Sequence, residues 1–294
     1  MMKPITAQHM NAPSRRWILL WLIAALALSC GRPIEINNLN GNQITVLGHR
    51  GMGKHFRYPG NSFESIEYVL NLGADGAEID VQITRDSVLV VFHDRRLEGK
   101  TNCSGQVSDY TWSGLDSCRY TVPSPQIFRV ISVDELFRRL PDVRQYTFAL
   151  HCKVRQDQAL SPDYFRQLVH AIRQVAEKYG MQDRLLIESG RVPFHQLLQI
   201  SGLGVRQFIS RSNITDGIGI AGELGLYGIS IGPKLSRHGA ARAHAAGLRV
   251  MTWTPKNRWQ NLLAIRKNPD FIQTDEAAHM LMLFDKYREP GEAD

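Results

Sequence analysis

The sequence lacks an apolar run long enough to cross a bilayer. Its N-terminal apolar stretch, Trp17 to Ser29, has thirteen uncharged residues, too few to span roughly 30 Å of hydrocarbon as a helix. It also lacks a basic run interleaved with aromatics, the usual footprint of a nucleic-acid surface. The formal charge of +7 is weak evidence for a polyanion partner, because residues 1–30 carry Lys3, Arg15 and Arg16 with no acid, leaving 32 basic against 28 acidic residues in the rest. We therefore expect no nucleic acid among its partners. Cysteine is scarce as well, with four in 294 residues. What the chain does have, 43% hydrophobic and 21% charged residues, excludes a disordered chain and a multi-span membrane protein and suffices for one substantial core.

The N-terminus reads as a targeting segment: Arg15-Arg16, the short apolar stretch, then Leu26-Ala27-Leu28-Ser29-Cys30-Gly31. This ending resembles the bacterial lipoprotein cleavage box, in which the cysteine becomes the lipidated first residue; Ala27 stands where leucine is usual. The alternative is an ordinary signal peptide or an uncleaved anchor. Either way the expected location is outside the cytoplasm, in the bacterial cell envelope, with a membrane tether through Cys30 under the first reading. In an oxidising compartment Cys103 and Cys118 either crosslink the Ser-, Gly- and Thr-rich segment between them or stay free, and spacing alone does not decide. Cys152 lies in an apolar run and reads as a small core residue.

Beyond a linker over residues 31–43, strand-like runs alternate with helical patterns, as a parallel α/β fold requires. Strands are expected near residues 44–48, 77–82, 88–92, 146–152, 184–188, 205–209, 227–231, 248–253 and 270–273. Two of these, 77–82 and 88–92, are separated by only Ile83 to Ser87, too few residues for a parallel crossover, so they should form an antiparallel hairpin. Helices are expected after Asn61, Ser132, Pro162 and Lys256. The count fits a (β/α)8 TIM barrel over residues 44–285, with an extra β-hairpin after the second strand, a small insertion at about residues 95–130 and a C-terminal tail over 286–294.

Active sites of such barrels collect on the loops at the C-terminal ends of the strands. His49, His93, His151, Lys153 and Trp253 fall at or near those ends. Glu78 and Asp80 lie two apart on one strand, so their side chains share a face roughly 7 Å apart and can converge on one cation. Two histidines, an arginine and two carboxylates at strand ends are the parts needed to bind a divalent metal and cleave a phosphodiester.

The ordered set His49-Arg50-Gly51, Pro59-x-Asn61-Ser62-x-x-Ser65, Gly76-Ala77-Glu78-x-Asp80-Val81-x-x-Thr84-x-Asp86 and Val91-Phe92-His93-Asp94 resembles the glycerophosphodiester phosphodiesterase family. The resemblance continues through Lys153, Trp253-Thr254-x-x-Asn257 and Thr274-Asp275, covering about residues 44–280. It implies that Glu78 and Asp80 ligate a divalent cation, that His49 and His93 are the acid–base pair, and that Arg50 and Lys153 hold the phosphate. Trp253 is expected to close the pocket wall on the glycerol side. The implied reaction is metal-dependent hydrolysis of a small or lipid-derived phosphodiester to glycerol 3-phosphate and an alcohol.

The departures matter as much. His151 stands where the family has a third metal-binding glutamate, which replaces an anionic oxygen with a neutral nitrogen. Calcium or magnesium is the first expectation, and His151 opens the site to manganese or zinc. Gly60 stands where the family has an acid between Pro59 and Asn61, and Glu188, at another strand end, is a candidate for a compensating carboxylate. Two alternatives stay open: a catalytically weakened barrel that binds phosphodiesters or lipid headgroups, and a phospholipase D-like or cyclising activity on lysophospholipids.

Overall fold

The computed structural model describes residues 34–53, 58–154 and 162–289. The expected targeting segment, with Cys30, lies outside them. Among the described residues no helix is long and apolar enough to cross a membrane. From Ile36 onward they belong to one compact unit.

Ten strands form one sheet. Eight are parallel and close on themselves: β1 (Thr45–His49), β2 (Gly76–Ile83), β5 (Thr147–Cys152), β6 (Leu185–Ser189), β7 (Arg206–Arg211), β8 (Gly228–Ile231), β9 (Arg249–Trp253) and β10 (Phe271–Thr274). The closing pairs are β1 with β10, Thr45 opposite Phe271, and β1 with β2, Leu47 opposite Gly76. This is the expected (β/α)8 barrel. All nine expected strands are present, and the extra hairpin is there: β3 (Leu89–Val91) runs antiparallel to β2, with Val81 opposite Val91. A tenth strand, β4 (Ile131–Ser132), extends that hairpin by pairing with β3. Two residues carry no detectable alternation, which is why the sequence did not reveal it.

Because parallel strands are buried on both faces, they read as continuous apolar runs while splitting their side chains between two layers. Val46, Ala77, Ile79, Leu150 and Ile187 face outward into the main core shared with the helices. Leu47, Ala149, Leu186, Phe208, Met251 and Phe271 form a separate inner cluster that fills the barrel. Two residues further along each strand lie His49, His151, Glu188, Trp253 and Gln273. With a strand period of two these share the inward direction one layer higher. The apolar plug is therefore the floor of the polar ring above it.

Helix α1 (Phe63–Asn71) starts where Ser62 Oγ accepts from the Ser65 N–H at 3.2 Å. It buries Phe63, Ile66, Val69 and Leu70, each such burial contributing about 1.5–3 kcal/mol. A short helical turn, α2 (Trp112–Leu115), lies in the insertion. Helix α3 (Val133–Arg139) is capped by Ser132 and carries acids in its first turn and arginines in its last, matching the helix dipole. The remaining helices are α4 (Pro162–Tyr179), α5 (Val192–Ile200), α6 (Ile214–Glu223), α7 (Arg237–Ala245), α8 (Arg258–Arg266) and α9 (Ala277–Met282). Asn257 caps α8, accepting from Gln260 N–H at 2.9 Å.

At the barrel's lower end, Asn38 donates to Pro269 O at 2.8 Å and to Gln43 O at 2.9 Å, so part of the expected linker is tied to the loop before β10. Beyond residue 285, Lys286 Nζ pairs with Asp75 at 2.8 Å and the Arg288 N–H donates to Leu72 O at 3.0 Å. The insertion between β3 and β4 has its own small core of Val90, Phe92, Leu97, Val107, Leu115 and Val130. Within it Cys103 and Cys118 are disulfide-bonded, with Cα atoms 5.7 Å apart. Cys152 is a free, buried thiol that burial pushes well above its ordinary range, so it is an inert core residue.

Candidate active site

The chain leaving β1 turns sharply. Arg50 adopts φ 55° and Gly51 φ 83°, and a Cβ on Gly51 would fall 2.5 Å from the Ser65 backbone, so only glycine fits between this turn and α1. Arg50 is fixed from both sides: its N–H donates to Glu78 O at 2.9 Å, and its carbonyl accepts from Asn61 N–H at 3.0 Å and Ser65 Oγ at 3.1 Å. Its guanidinium Nε lies 3.1 Å from Asp80 Oδ2. Gly60, where the family has an acid, sits against the Arg50 side chain, 3.2 Å from Cβ to Cβ were one added. The anion beside the guanidinium is Asp80.

Glu78 and Asp80 are almost fully buried, and the register places His49 beside Glu78 and His151 beside Asp80. Asn61 pins the second acid, donating through Nδ2 to Asp80 Oδ2 at 2.8 Å while its Oδ1 accepts the Asp80 N–H at 3.1 Å. His151 Nδ1 lies 3.5 Å from Asp80 Oδ1 and 3.8 Å from Glu78 Oε1. These two oxygens are buried without a hydrogen-bond partner of good geometry, and with the His151 nitrogen they form a donor set within 4.8 Å of one another. Lys153 Nζ sits at the edge of the set, 2.9 Å from Asp80 Oδ1 and 3.0 Å from His151 Nδ1. Orphaned carboxylate oxygens converging on one point in a buried site are what a divalent cation requires, so the residues present fit one.

The electrostatics carry the same mark. Burial, and then the Asp80 charge beside it, push Glu78 well above the usual carboxylate range. Burial acts on Asp80 in the same sense, but the close approach of the His151 ring and the charges of Lys153 and Arg50 outweigh it and hold Asp80 well below that range. A pair split in this way is what two acids in one desolvated space produce.

The two histidines are presented alike by different means. His49 Nδ1 lies 2.6 Å from Asp275 Oδ1, a carboxylate delivered by the end of β10 from 226 residues away. His93 Nδ1 bonds the carboxylate of its neighbour Asp94. Each carboxylate occupies Nδ1 and leaves Nε2 for chemistry. Burial lowers His49 below its ordinary value of 6.5 against the opposing pull of Asp275, and burial lowers His93 against Asp80 and Asp94.

A cleft of about 540 Å³ opens here, lined by Arg50, Asn61, His93 and Asp94 and, from the insertion and the loop after β1, by Lys100, Tyr120 and Tyr58. Seven of the eight expected site residues thus lie in one neighbourhood: His49, Arg50, Glu78, Asp80, His93, His151 and Lys153. Trp253 ends β9 in the inward ring, opposite Gln273 of β10. Its indole packs on Gly232, where an added Cβ would fall 3.0 Å from the ring, and it borders a separate pocket of about 200 Å³ with Thr254 and Pro255. Glu188 lies in the inward ring but is engaged elsewhere, accepting from Ser230 Oγ at 2.7 Å and Gln273 Nε2 at 2.9 Å. It anchors the ring and is not one of the three grouped donors. Asn61, Asp94 and Asp275 belong to motifs visible in the sequence, but their roles as positioning groups depend on contacts a motif does not show.

The sequence profile of the glycerophosphoryl diester phosphodiesterase family matches residues 49–279. Among curated proteins, the chain is 28% identical over 144 residues to a glycerophosphodiester phosphodiesterase of Caldanaerobacter subterraneus subsp. tengcongensis, covering 49% of this chain and 57% of that one. It is 27% identical over 160 residues to one of Bacillus altitudinis, covering 52% and 62%. The chain thus spans somewhat more than half the length of these relatives. Among solved structures, a glycerophosphodiester phosphodiesterase from Agrobacterium tumefaciens superposes with TM-score 0.67 at 21% identity, over 81% of this chain and 99% of that one. An Oleispira antarctica phosphodiesterase in complex with the product sn-glycerol-3-phosphate superposes with TM-score 0.69 at 18% identity, over 82% and 96%. At these identities the superpositions establish the shared fold.

Proposed function

The chain belongs to the glycerophosphoryl diester phosphodiesterase family, and from that premise we propose that it hydrolyses glycerophosphodiesters to glycerol 3-phosphate and an alcohol, with His49 and His93 as the acid–base pair. The observation that carries this reading is the pairing of two carboxylate-held imidazoles with a buried set of orphaned acidic oxygens beside an arginine. In the proposed reaction water adds to phosphorus while the bond to the alcohol oxygen breaks. One imidazole takes the proton of the incoming water, and the other gives a proton to the departing alkoxide. Arg50 and Lys153 offset the charge that gathers on the phosphoryl oxygens.

Glu78, Asp80 and His151 would hold a divalent cation, which supplies Lewis-acid stabilisation of the phosphoryl oxygens when bound. With two anionic oxygens and one imidazole nitrogen, calcium or magnesium remains admissible and manganese or zinc gains relative to a three-carboxylate site. His151→Glu should tighten calcium and magnesium binding in calorimetry; unchanged affinity would remove His151 from the donor set.

One observation favours the weakened-barrel alternative: the third donor beside Glu78 and Asp80 is the imidazole of His151 in place of a carboxylate. The deciding experiment is the purified chain from residue 31 onward with glycerophosphocholine, glycerophosphoethanolamine and a lysophospholipid across a metal panel. Release of glycerol 3-phosphate that chelation abolishes supports hydrolysis. Binding without turnover supports the alternative, and a cyclic phosphate product would indicate internal attack. We further propose export with lipid attachment at Cys30, supported by the targeting pattern of residues 15–31. Mass mapping of the mature N-terminus from membranes tests it, and an unmodified or uncleaved Cys30 would refute it.

A further inference from the structure

Above the catalytic groups the cleft is walled by the insertion, and one side chain there is out of balance. The Tyr120 hydroxyl is buried and has no hydrogen-bond partner among the described residues. It belongs to the cleft and lies within electrostatic range of Asp80, Asp94 and Arg50. Its ring centroid is 6.2 Å from that of Phe92, the residue preceding His93.

The backbone that carries it is well fixed. Tyr120 N–H donates to Phe128 O at 2.9 Å, Thr121 N–H donates to Lys100 O at 2.9 Å, and Tyr120 bridges Thr101 in antiparallel fashion. The disulfide closes the segment two residues earlier, at Cys118. Native proteins rarely leave a buried hydroxyl unpaired, so this one calls for a partner that enters the cleft, a water or a polar group of the substrate. Burial keeps this phenol protonated, so it can both donate and accept.

We propose that Tyr120 and Lys100 form the subsite for the alcohol half of the diester, and that this subsite selects a hydroxyl-bearing, uncharged or anionic headgroup, such as a glycerol-type polyol, over a quaternary ammonium. The inference rests on the phosphodiesterase reading of the cleft. Two features set the direction of selectivity. A trimethylammonium group offers no donor or acceptor to the Tyr120 hydroxyl, whereas a polyol offers both. Lys100 is exposed at the rim and forms no ion pair among the described residues, so it repels a cationic headgroup, whereas the other cleft cation, Arg50, already faces Asp80. The aromatic rings of Tyr58, Phe92 and Tyr120 would by themselves suit a choline, which makes the choice a sharp one.

The test compares kcat/KM for glycerophosphoglycerol and glycerophosphocholine in the wild type and in Tyr120→Phe, a variant that removes one oxygen and keeps the ring. The wild type is expected to favour glycerophosphoglycerol, and Tyr120→Phe to lower that preference about tenfold, since a site built to bond a hydroxyl discriminates strongly against its absence. Loss of stability alone would lower both substrates together and leave their ratio unchanged. A wild type that favours glycerophosphocholine, or a ratio that moves less than twofold in the variant, overturns the proposal. Should neither diester be turned over, the hydrolytic reading fails by itself. The subsite is then judged by the same ratio measured as calorimetric Kd values for the two diesters, with the same outcomes supporting or overturning it.

Discussion

His49 and His93 are the same chemical group presented beside one buried pair of acids from two differently built regions. His49 ends a barrel strand, is 8% exposed, and takes its carboxylate from the closing strand of the barrel. His93 stands at the root of the insertion, has a side chain 35% exposed, and takes its carboxylate from the next residue. The barrel half is therefore positioned by long-range register, which one substitution can spoil at a distance. The insertion half is positioned locally, by a crosslink and a small core of its own. The difference separates the strand-borne acids and His49, which are costly to change, from the loop with Tyr120 and Lys100, where the proposed headgroup subsite can vary without disturbing the barrel.

The largest expected effect tests whether the two regions meet in one reaction. His49→Ala and His93→Ala should each lower kcat by about a hundredfold or more while the melting temperature stays close to that of the parent. A variant that keeps its rate would show that its region contributes binding alone. The partners then separate the regions. Asp275→Asn should cost about 10–100-fold, the usual scale for a buried group that orients a functional imidazole. Asp94→Asn should cost less, because Asp94 is 36% exposed and water can replace part of its bond. Equal losses would erase the distinction between register-held and locally held histidines.

These two regions also differ in how far the sequence discloses them. The barrel was legible because strand-like apolar runs alternate with helical patterns along the chain, and the structure adds that a residue at the mouth lies two positions beyond an apolar residue of the plug, as His49 follows Leu47 and His151 follows Ala149. The helices were read unevenly. Those opening on Asn, Ser or Pro before a clear apolar period, such as α1 and α4, stood out, whereas α6 carries Gly217, Gly219 and Gly222 and has poor intrinsic propensity. It is held by packing against its strands. The insertion resisted reading for a different reason. Its contacts, Thr101 to Tyr120 and Arg119 to Arg129, are isolated bridges without period. Tyr120 had no signal there, since an unpaired hydroxyl is a property of packing. Asp275 was visible in a motif, but that it would reach His49 follows only from the closure of β10 on β1.

A smaller effect, confined to one region, comes from the crosslink. Closing a loop of this separation, 15 residues, stabilises by roughly 3 kcal/mol in the chain-entropy account. Replacing both Cys103 and Cys118 with serine should therefore loosen the insertion first. Hydrogen exchange should quicken over residues 95–130 while the barrel strands keep their protection, and KM should rise more than kcat falls. Uniformly faster exchange would mean that the insertion and the barrel unfold as one unit.

The smallest effect is a shift in titration, and its sign follows from the two environments. Burial lowers both imidazoles below 6.5, while Asp275 at His49 and Asp94 at His93 act in the opposite sense. An imidazole with a lowered value stays neutral in the fold at a pH where the unfolded chain would already bind a proton. Any stability linked to it is then present above 6.5 and lost as the pH falls through the lowered value. In the metal-free protein, NMR titration should place both imidazoles below 6.5. Removing a carboxylate charge removes the upward influence, so Asp94→Asn should move His93 further down and leave His49 in place, and Asp275→Asn should do the reverse. A shift of both histidines in either variant would show that they titrate as one coupled pair. The two regions would then be electrostatically a single site, despite the separate ways in which the chain builds them.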